Sequence, residues 1–190
     1  MIYMVDHVYT DPLTEQAWHE WYAGYLRKLV SIPGIHTAQR FKAIGHTPSR
    51  YLAMYSIDSA DVYTSEGYNA IGGGGSQSKR FQPAYQLWTR NLFDAVSRED
   101  AGPAAAIRAP AVQDGQRVLV FDREEAPRDA AGARNKLESR ATWLEAVGLH
   151  MTTKYRALVV LGAGEAATAG SIPGSFFYER FTPVILKNAI

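Results

Sequence analysis

Residues 2–9 are apolar on both faces, with Tyr3, Val5 and Tyr9 on one side and Ile2, Met4 and Val8 on the other. That pattern predicts a strand covered on both sides. Asp11 followed by Pro12 reads as a helix start, a capping acceptor before a proline at the first helical position. Beyond it Trp18, Trp21, Tyr22, Tyr25, Leu26 and Leu29 recur at helical spacing, with Gln16, Glu20 and Arg27 opposite, until Pro33-Gly34 stops the helix. Residues 35–44 and 51–57 predict a hairpin around a turn at 46–50. Asp58 or Ser59 caps a short second helix to about Ala70, Gly72 to Gly75 read as a flexible connection, and residues 85–93 predict a fourth strand. The order is βαββαβ, the ferredoxin-like unit.

Residues 101–113 (AGPAAAIRAPAVQ) read as a linker between a first unit, 1–100, and a second, 114–190. In the second unit, Val118 to Phe121 predict a strand. Ala130, Ala133, Leu137, Ala141 and Leu144 mark a helix, a strand starts at Leu149, and residues 176–181 close the unit. The third strand and second helix are poorly marked. Gly34-Ile35-His36 through Ile44 aligns with Gly148-Leu149-His150 through Leu158. Met4-Val5-Asp6 aligns with Val120-Phe121-Asp122, and Trp88-Thr89-Arg90 with Tyr178-Glu179-Arg180. Three matches in the same order indicate a tandem repeat.

The fold class expected is therefore α+β: two ferredoxin-like βαββαβ repeats whose antiparallel sheets pack as an α+β barrel. The helices of one unit cover one face of its sheet, and the bare face must be buried against a second sheet, in the same chain or in another copy. Exposed edges leave a homodimer open.

The chain has 190 residues, 46% of them apolar, no cysteine, and a formal charge of +1. Such a balance supplies no basic surface for nucleic acid, and the lack of cysteine removes disulfides and thiolate chemistry. No apolar run reaches membrane-spanning length and no signal peptide opens the chain, so a cytoplasmic protein without membrane or nucleic-acid partners is expected.

The motif Trp21-Tyr22, the break Pro33-Gly34, Gln39-Arg40-Phe41, Tyr51-Leu52-Ala53-Met54-Tyr55, Ser65 and Tyr68 resemble the EthD-like branch of the dimeric α+β barrel superfamily over about residues 1–95. Many members carry a histidine one helical turn after the Trp-Tyr pair; here Leu26 stands there, so a role for that histidine does not carry over. The superfamily includes cofactor-free monooxygenases, dehydratases, isomerases, cyclases and haem enzymes. The resemblance therefore implies the fold more firmly than the chemistry.

The residues suggest a small-molecule enzyme without cofactor or metal. It would be a lyase, isomerase or dehydratase moving a proton on a small hydrophobic or aromatic carbonyl or phenolic compound. His36, Ala38 and Arg40 share a strand face expected to look between the sheets, as do His150, Thr152 and Lys154. His36 and His150 are candidate acid/base groups, or else tie down loop backbone. Arg40 and Lys154 either anchor an anion or pair with Asp6 and Asp122. His7 reads as a pocket or core histidine. Trp88 and Tyr178, with Arg90 or Arg180, are pocket candidates because their strands lack helical period, whereas Trp18 to Tyr25 read first as core. Two alternatives stand beside this: haem held by His36 or His150, and a non-catalytic barrel whose interior is filled by side chains.

Overall fold

A computed structural model describes residues 1–72, 78–96, 106–125, 136–168 and 174–187. The first half runs β1 (Ile2–Tyr9), α1 (Glu15–Ser31), β2 (Ile35–Ile44), β3 (Tyr51–Ile57), a 3-10 turn (Ala60–Thr64), α2 (Glu66–Ala70) and β4 (Tyr85–Ala95). The second runs β5 (Arg117–Arg123), α3 (Lys136–Ser139), β6 (Thr142–Leu149), β7 (Tyr155–Leu161), α4 (Ala163–Thr168) and β8 (Ser175–Arg180), with a short β9 (Ile185–Leu186) after it. α1 starts later than Asp11-Pro12 suggests, because the Asp11 carboxylate is occupied with the turn before it. It accepts from Leu13 N at 3.0 Å and Thr14 Oγ1 at 2.6 Å.

Each half pairs its strands antiparallel in one order, β2-β3-β1-β4 and β6-β7-β5-β8. β4 then pairs with β6 and β8 with β2, so the two sheets close into one eight-stranded barrel within the chain, and β9 adds beside β2. The two-sided apolar pattern of β1 now has its cause. Ile2 and Met4 face the barrel interior with Leu52, Phe93, Val120 and Leu158. Tyr3, Val5 and Tyr9 face outward beneath Trp18, Tyr22 and Leu26 of α1. The space between the sheets is filled by these side chains rather than by a polar pocket.

Of the linker, residues 101–105 lie outside the described residues, and 106–113 lie against the barrel. Val112 is wholly buried, and its N–H and C=O both bond the Gln39 carboxamide, at 3.0 and 2.7 Å. Ala109 N donates to Ser56 Oγ at 3.0 Å.

Three sequence expectations change. The face expected to carry His36, Ala38 and Arg40 between the sheets is not formed, because the β2–β3 register shifts between Ile35 and Thr37 and Arg40 lies over Trp18 and Tyr22 of α1. Ile35 and Ala38 face α1, while Phe41 faces the barrel interior. The aligned segments 34–44 and 148–158 are not equivalent: Gly148 and Leu149 end β6, and Tyr155 opens β7. Of the helix expected in the second half, the described residues contain α3, which includes Leu137; Leu144 lies on β6 with its side chain in the barrel, and Ala130 and Ala133 lie outside the described residues.

A chain stopped after β4 would leave Ile2, Met4, Leu52, Met54 and Phe93 bare. Several hundred Å² of apolar surface at ~25 cal/mol per Å² is worth on the order of 10 kcal/mol, as much as a domain's whole stability. We expect residues 1–96 alone to aggregate or lack cooperative unfolding, checked by size exclusion and thermal circular dichroism; a monomer with a sharp transition would contradict this.

Candidate functional site

The outer face of the first half is laid out in rows across the sheet. On β1, Tyr3 pairs with Tyr55 and Leu92, Val5 with Ala53 and Arg90, and His7 with Tyr51 and Trp88. β2 adds Arg40 opposite Ala53. Ala53 and Val5 make a low floor, aromatic rings rise on both sides, and α1 forms the roof. Between roof and floor lies a cavity of about 30 Å³, lined by Tyr3, Val5 and His7 from β1 and by Trp21, Tyr22 and Tyr25 from α1, with Tyr55, Tyr85 and Trp88 beside them. That volume holds about one water molecule. Trp21, Tyr25 and Trp88 are only partly buried, so a larger guest would have to displace these rings, whereas Tyr85 Oη accepts from Trp18 Nε1 at 3.0 Å.

Unsatisfied polar atoms mark this face. Among the described residues, the buried side-chain atoms without a hydrogen-bond partner are His7 Nδ1, Arg40 Nε and Nη1, Tyr63 Oη and Arg90 Nε. All belong to residues packed on this face of the first half. Buried polar groups are nearly always satisfied, so such a cluster calls for a ligand or water. Two larger grooves on the second half, about 640 Å³ beside Asp122, Glu124 and Thr152 and about 310 Å³ beside Asp114 and Arg180, hold no such atom.

Arg40 is 1% exposed. Its guanidinium carbon lies 4.1 Å from the centre of the Tyr22 ring, 4.6 Å from Trp18, 5.3 Å from Phe181 and 5.6 Å from Tyr51. Nη2 donates to His19 Nδ1 at 3.3 Å, and no carboxylate pairs with it among the described residues. The π faces partly replace water around the cation. Burial lowers the Arg40 pKa from its ordinary value. His7 packs against Tyr22 at 5.3 Å and Trp18 at 5.7 Å. Burial first and the Arg40 charge second push its pKa well below 6.5, so its imidazole is neutral. The Tyr22 and Tyr55 hydroxyls lie 3.1 Å apart, and burial pushes Tyr22 up to about 12, which keeps its proton in place.

The sequence candidates fall in different places. His7 and Trp88 line the cavity, and Arg40 lies behind Tyr22. The ion pair considered for Arg40 or Lys154 is made instead by Arg156, whose Nη1 donates to Asp6 Oδ2 at 3.1 Å and whose Nε donates to Asp122 Oδ1 at 2.8 Å. His36 is ejected by the β2 bulge to the surface, where Nε2 meets Asp58 Oδ1 at 2.6 Å. His150 sits between Leu149 and Met151, both at positive φ, and its Nδ1 accepts from Arg90 N at 3.3 Å. Lys154 is exposed, with Nζ 5.3 Å from the Tyr155 ring. Tyr178 lies in the barrel and donates to Ser49 O at 2.9 Å. The structure does not gather His36, Arg40 and His150 around one space, and neither His36 nor His150 stands in an apolar slot, so the residues proposed for haem do not fit it. The rings of α1 are both core and wall. Their signal was the choice of Tyr and Trp, which carry a polar edge, where Leu would fill a core.

The His7 shift has a sign. A histidine whose folded pKa lies below its unfolded value of 6.5 contributes stability above that value and loses it as pH falls, by about 1.4 kcal/mol per pH unit. His19, lowered to about 4 by burial and then Arg40, acts in the same direction, weakened by its partial exposure to solvent. Urea midpoints should therefore fall steadily below pH 6.5, and His7→Gln should flatten that slope.

Among the described residues no three His, Asp or Glu side chains gather as a metal-ligand set, and no helix is long and apolar enough to cross a membrane. No protein-family model matches the chain, and no curated protein matches it in sequence. A solved structure shares its fold. An anthrone oxidase-like protein superposes with a TM-score of 0.60 at 10% identity, over 98% of this chain and 93% of that one. A candidate monooxygenase from Lactobacillus acidophilus NCFM gives 0.48 at 10% identity, over 98% and 96%.

Proposed function

We propose that the chain is an enzyme that binds a small, flat aromatic compound between α1 and the outer face of the first sheet and removes a proton from its phenol or enolisable carbonyl. The observation that carries this is the wholly buried His7, its Nδ1 without a partner, lining an aromatic cavity beside a buried arginine that no carboxylate neutralises. In the empty pocket, burial and Arg40 disfavour an imidazolium. A substrate that becomes an enolate or phenolate supplies the missing negative charge, so the stabilising contacts with His7 and Arg40 strengthen as the proton moves. Tyr22, held protonated, donates toward the new oxyanion. No organic cofactor is needed for this step. The common strand order of the halves supports a duplicated unit of the EthD-like kind, with the pocket on the first copy.

Because a protein described as anthrone oxidase-like shares this fold, an enolisable tricyclic ketone of that class is the first compound to try. Anthrone should quench the intrinsic tryptophan fluorescence, and its methylene protons should exchange with D₂O faster with protein than without, followed by NMR. The absence of both quenching and exchange would overturn the reading. Oxygen uptake accompanying exchange would assign the enolate's further fate to dioxygen.

A further inference from the structure

Arg40 and Arg90 occupy the two ends of one row of the sheet: Arg40 pairs with Ala53, Ala53 with Val5, and Val5 with Arg90. Three steps of about 4.8 Å put their Cα atoms about 14 Å apart, with only small side chains between them. Arg90 lies over Trp88, its guanidinium carbon 4.8 Å from the ring centre. Its charge acts on Tyr3 and Tyr25 of the cavity and on Tyr63. Nε of Arg90 and Oη of Tyr63 are buried without partners, and no carboxylate pairs with Arg90 among the described residues. Arg156 shows the contrast, because there two carboxylates meet the guanidinium.

From this geometry we infer that Arg90 is a specificity-determining residue: it receives a carboxylate on the ligand, at the end of the ring system away from the oxygen that His7 and Arg40 handle. The inference rests on the pocket reading above and narrows it to hydroxylated or keto aromatic acids. Arg90 is suited to this place. It is only partly buried, so a carboxylate reaches it without full desolvation, while stacking on Trp88 and burial of Nε hold its fork in position. Arg40, by contrast, is enclosed by rings and reaches a ligand's charge through its field, and Tyr63 Oη offers a further hydrogen bond beside Arg90.

The test compares 2-naphthol with 6-hydroxy-2-naphthoate, which carries its hydroxyl and carboxylate at opposite ends, by tryptophan quenching at one ionic strength. The full chain should bind the acid about tenfold more tightly. Arg90→Gln should remove that preference and leave 2-naphthol binding within about twofold, and Arg90→Lys should restore part of it. A preference that survives Arg90→Gln, a wild-type chain with no preference, or a preference abolished by Arg40→Lys instead would each overturn the assignment while leaving the pocket standing. Failure of both compounds to bind would overturn the pocket together with the assignment. If Arg90→Gln melts early, Arg90→Lys decides: a preference no weaker than wild type, from an ammonium without the fork, argues against a bidentate site.

Discussion

Arg156→Ala is expected to lower the unfolding free energy by about 3–5 kcal/mol, a large part of the 5–15 kcal/mol typical of a domain. Arg156, on β7 of the second half, bonds Asp122 through Nε and Nη2, at 2.8 and 2.9 Å, and Asp6 of the first half through Nη1 at 3.1 Å. Asp122 keeps a side-chain exposure of 35%, so water can take over part of the lost contact, whereas Asp6 at 9% would be left buried and unpaired. The cost comes from the abandoned Asp6 charge more than from the bonds themselves. Combining Arg156→Met with Asp6→Leu removes both groups from the interior, and apolar replacement of a buried pair is often neutral or better. The double variant should therefore recover most of the loss in urea unfolding. A single-variant loss below about 1 kcal/mol would mean that Asp6 finds another partner or protonates at little cost.

The same residues show why part of the molecule was readable beforehand. β1, β2 and β3 fall where the apolar runs and the intervening turn put them, and β4 differs from expectation only at its end, which is Ala95 instead of residue 93. His7, read from the sequence as a pocket or core histidine, and Trp88, singled out because its strand lacks helical period, both line the cavity. Three physical features were hidden. A bulge reverses which side a residue faces, and nothing in the run Ile35-His36-Thr37 announces one, so His36 and Arg40 were placed in the wrong space. A guanidinium can face a helix if rings surround it, which overrides the expectation that Arg40 looks between the sheets. The second half lacks strong punctuation, so the short match at 148–158 slid by one strand and hid Arg156 as the partner of Asp6. Asp6 and Asp122 do pair with a buried cation, but register makes it Arg156 instead of Arg40 or Lys154.

His7→Gln should reduce turnover in the proton-exchange assay by about 10²–10⁴-fold while changing ligand binding little, because the amide fills similar space but cannot accept a proton at neutral pH. The pH profile separates this role from a structural one. His7 has its pKa held well below 6.5 by burial and by Arg40, so it is already the free base at neutral pH. Its protonation removes activity only in more acid solution. The wild-type rate per free enzyme should accordingly stay level as pH falls through 6.5, and the acid limb should appear below that value. Arg40→Met removes the positive field, leaves burial in place and should move the limb upward toward 6.5, in the direction opposite to any effect of reduced oxyanion stabilisation on the plateau. A limb that begins at or above 6.5 in the wild type, or one unmoved by Arg40→Met, would assign the base to a group other than His7. A His7→Gln chain that keeps its turnover would do the same.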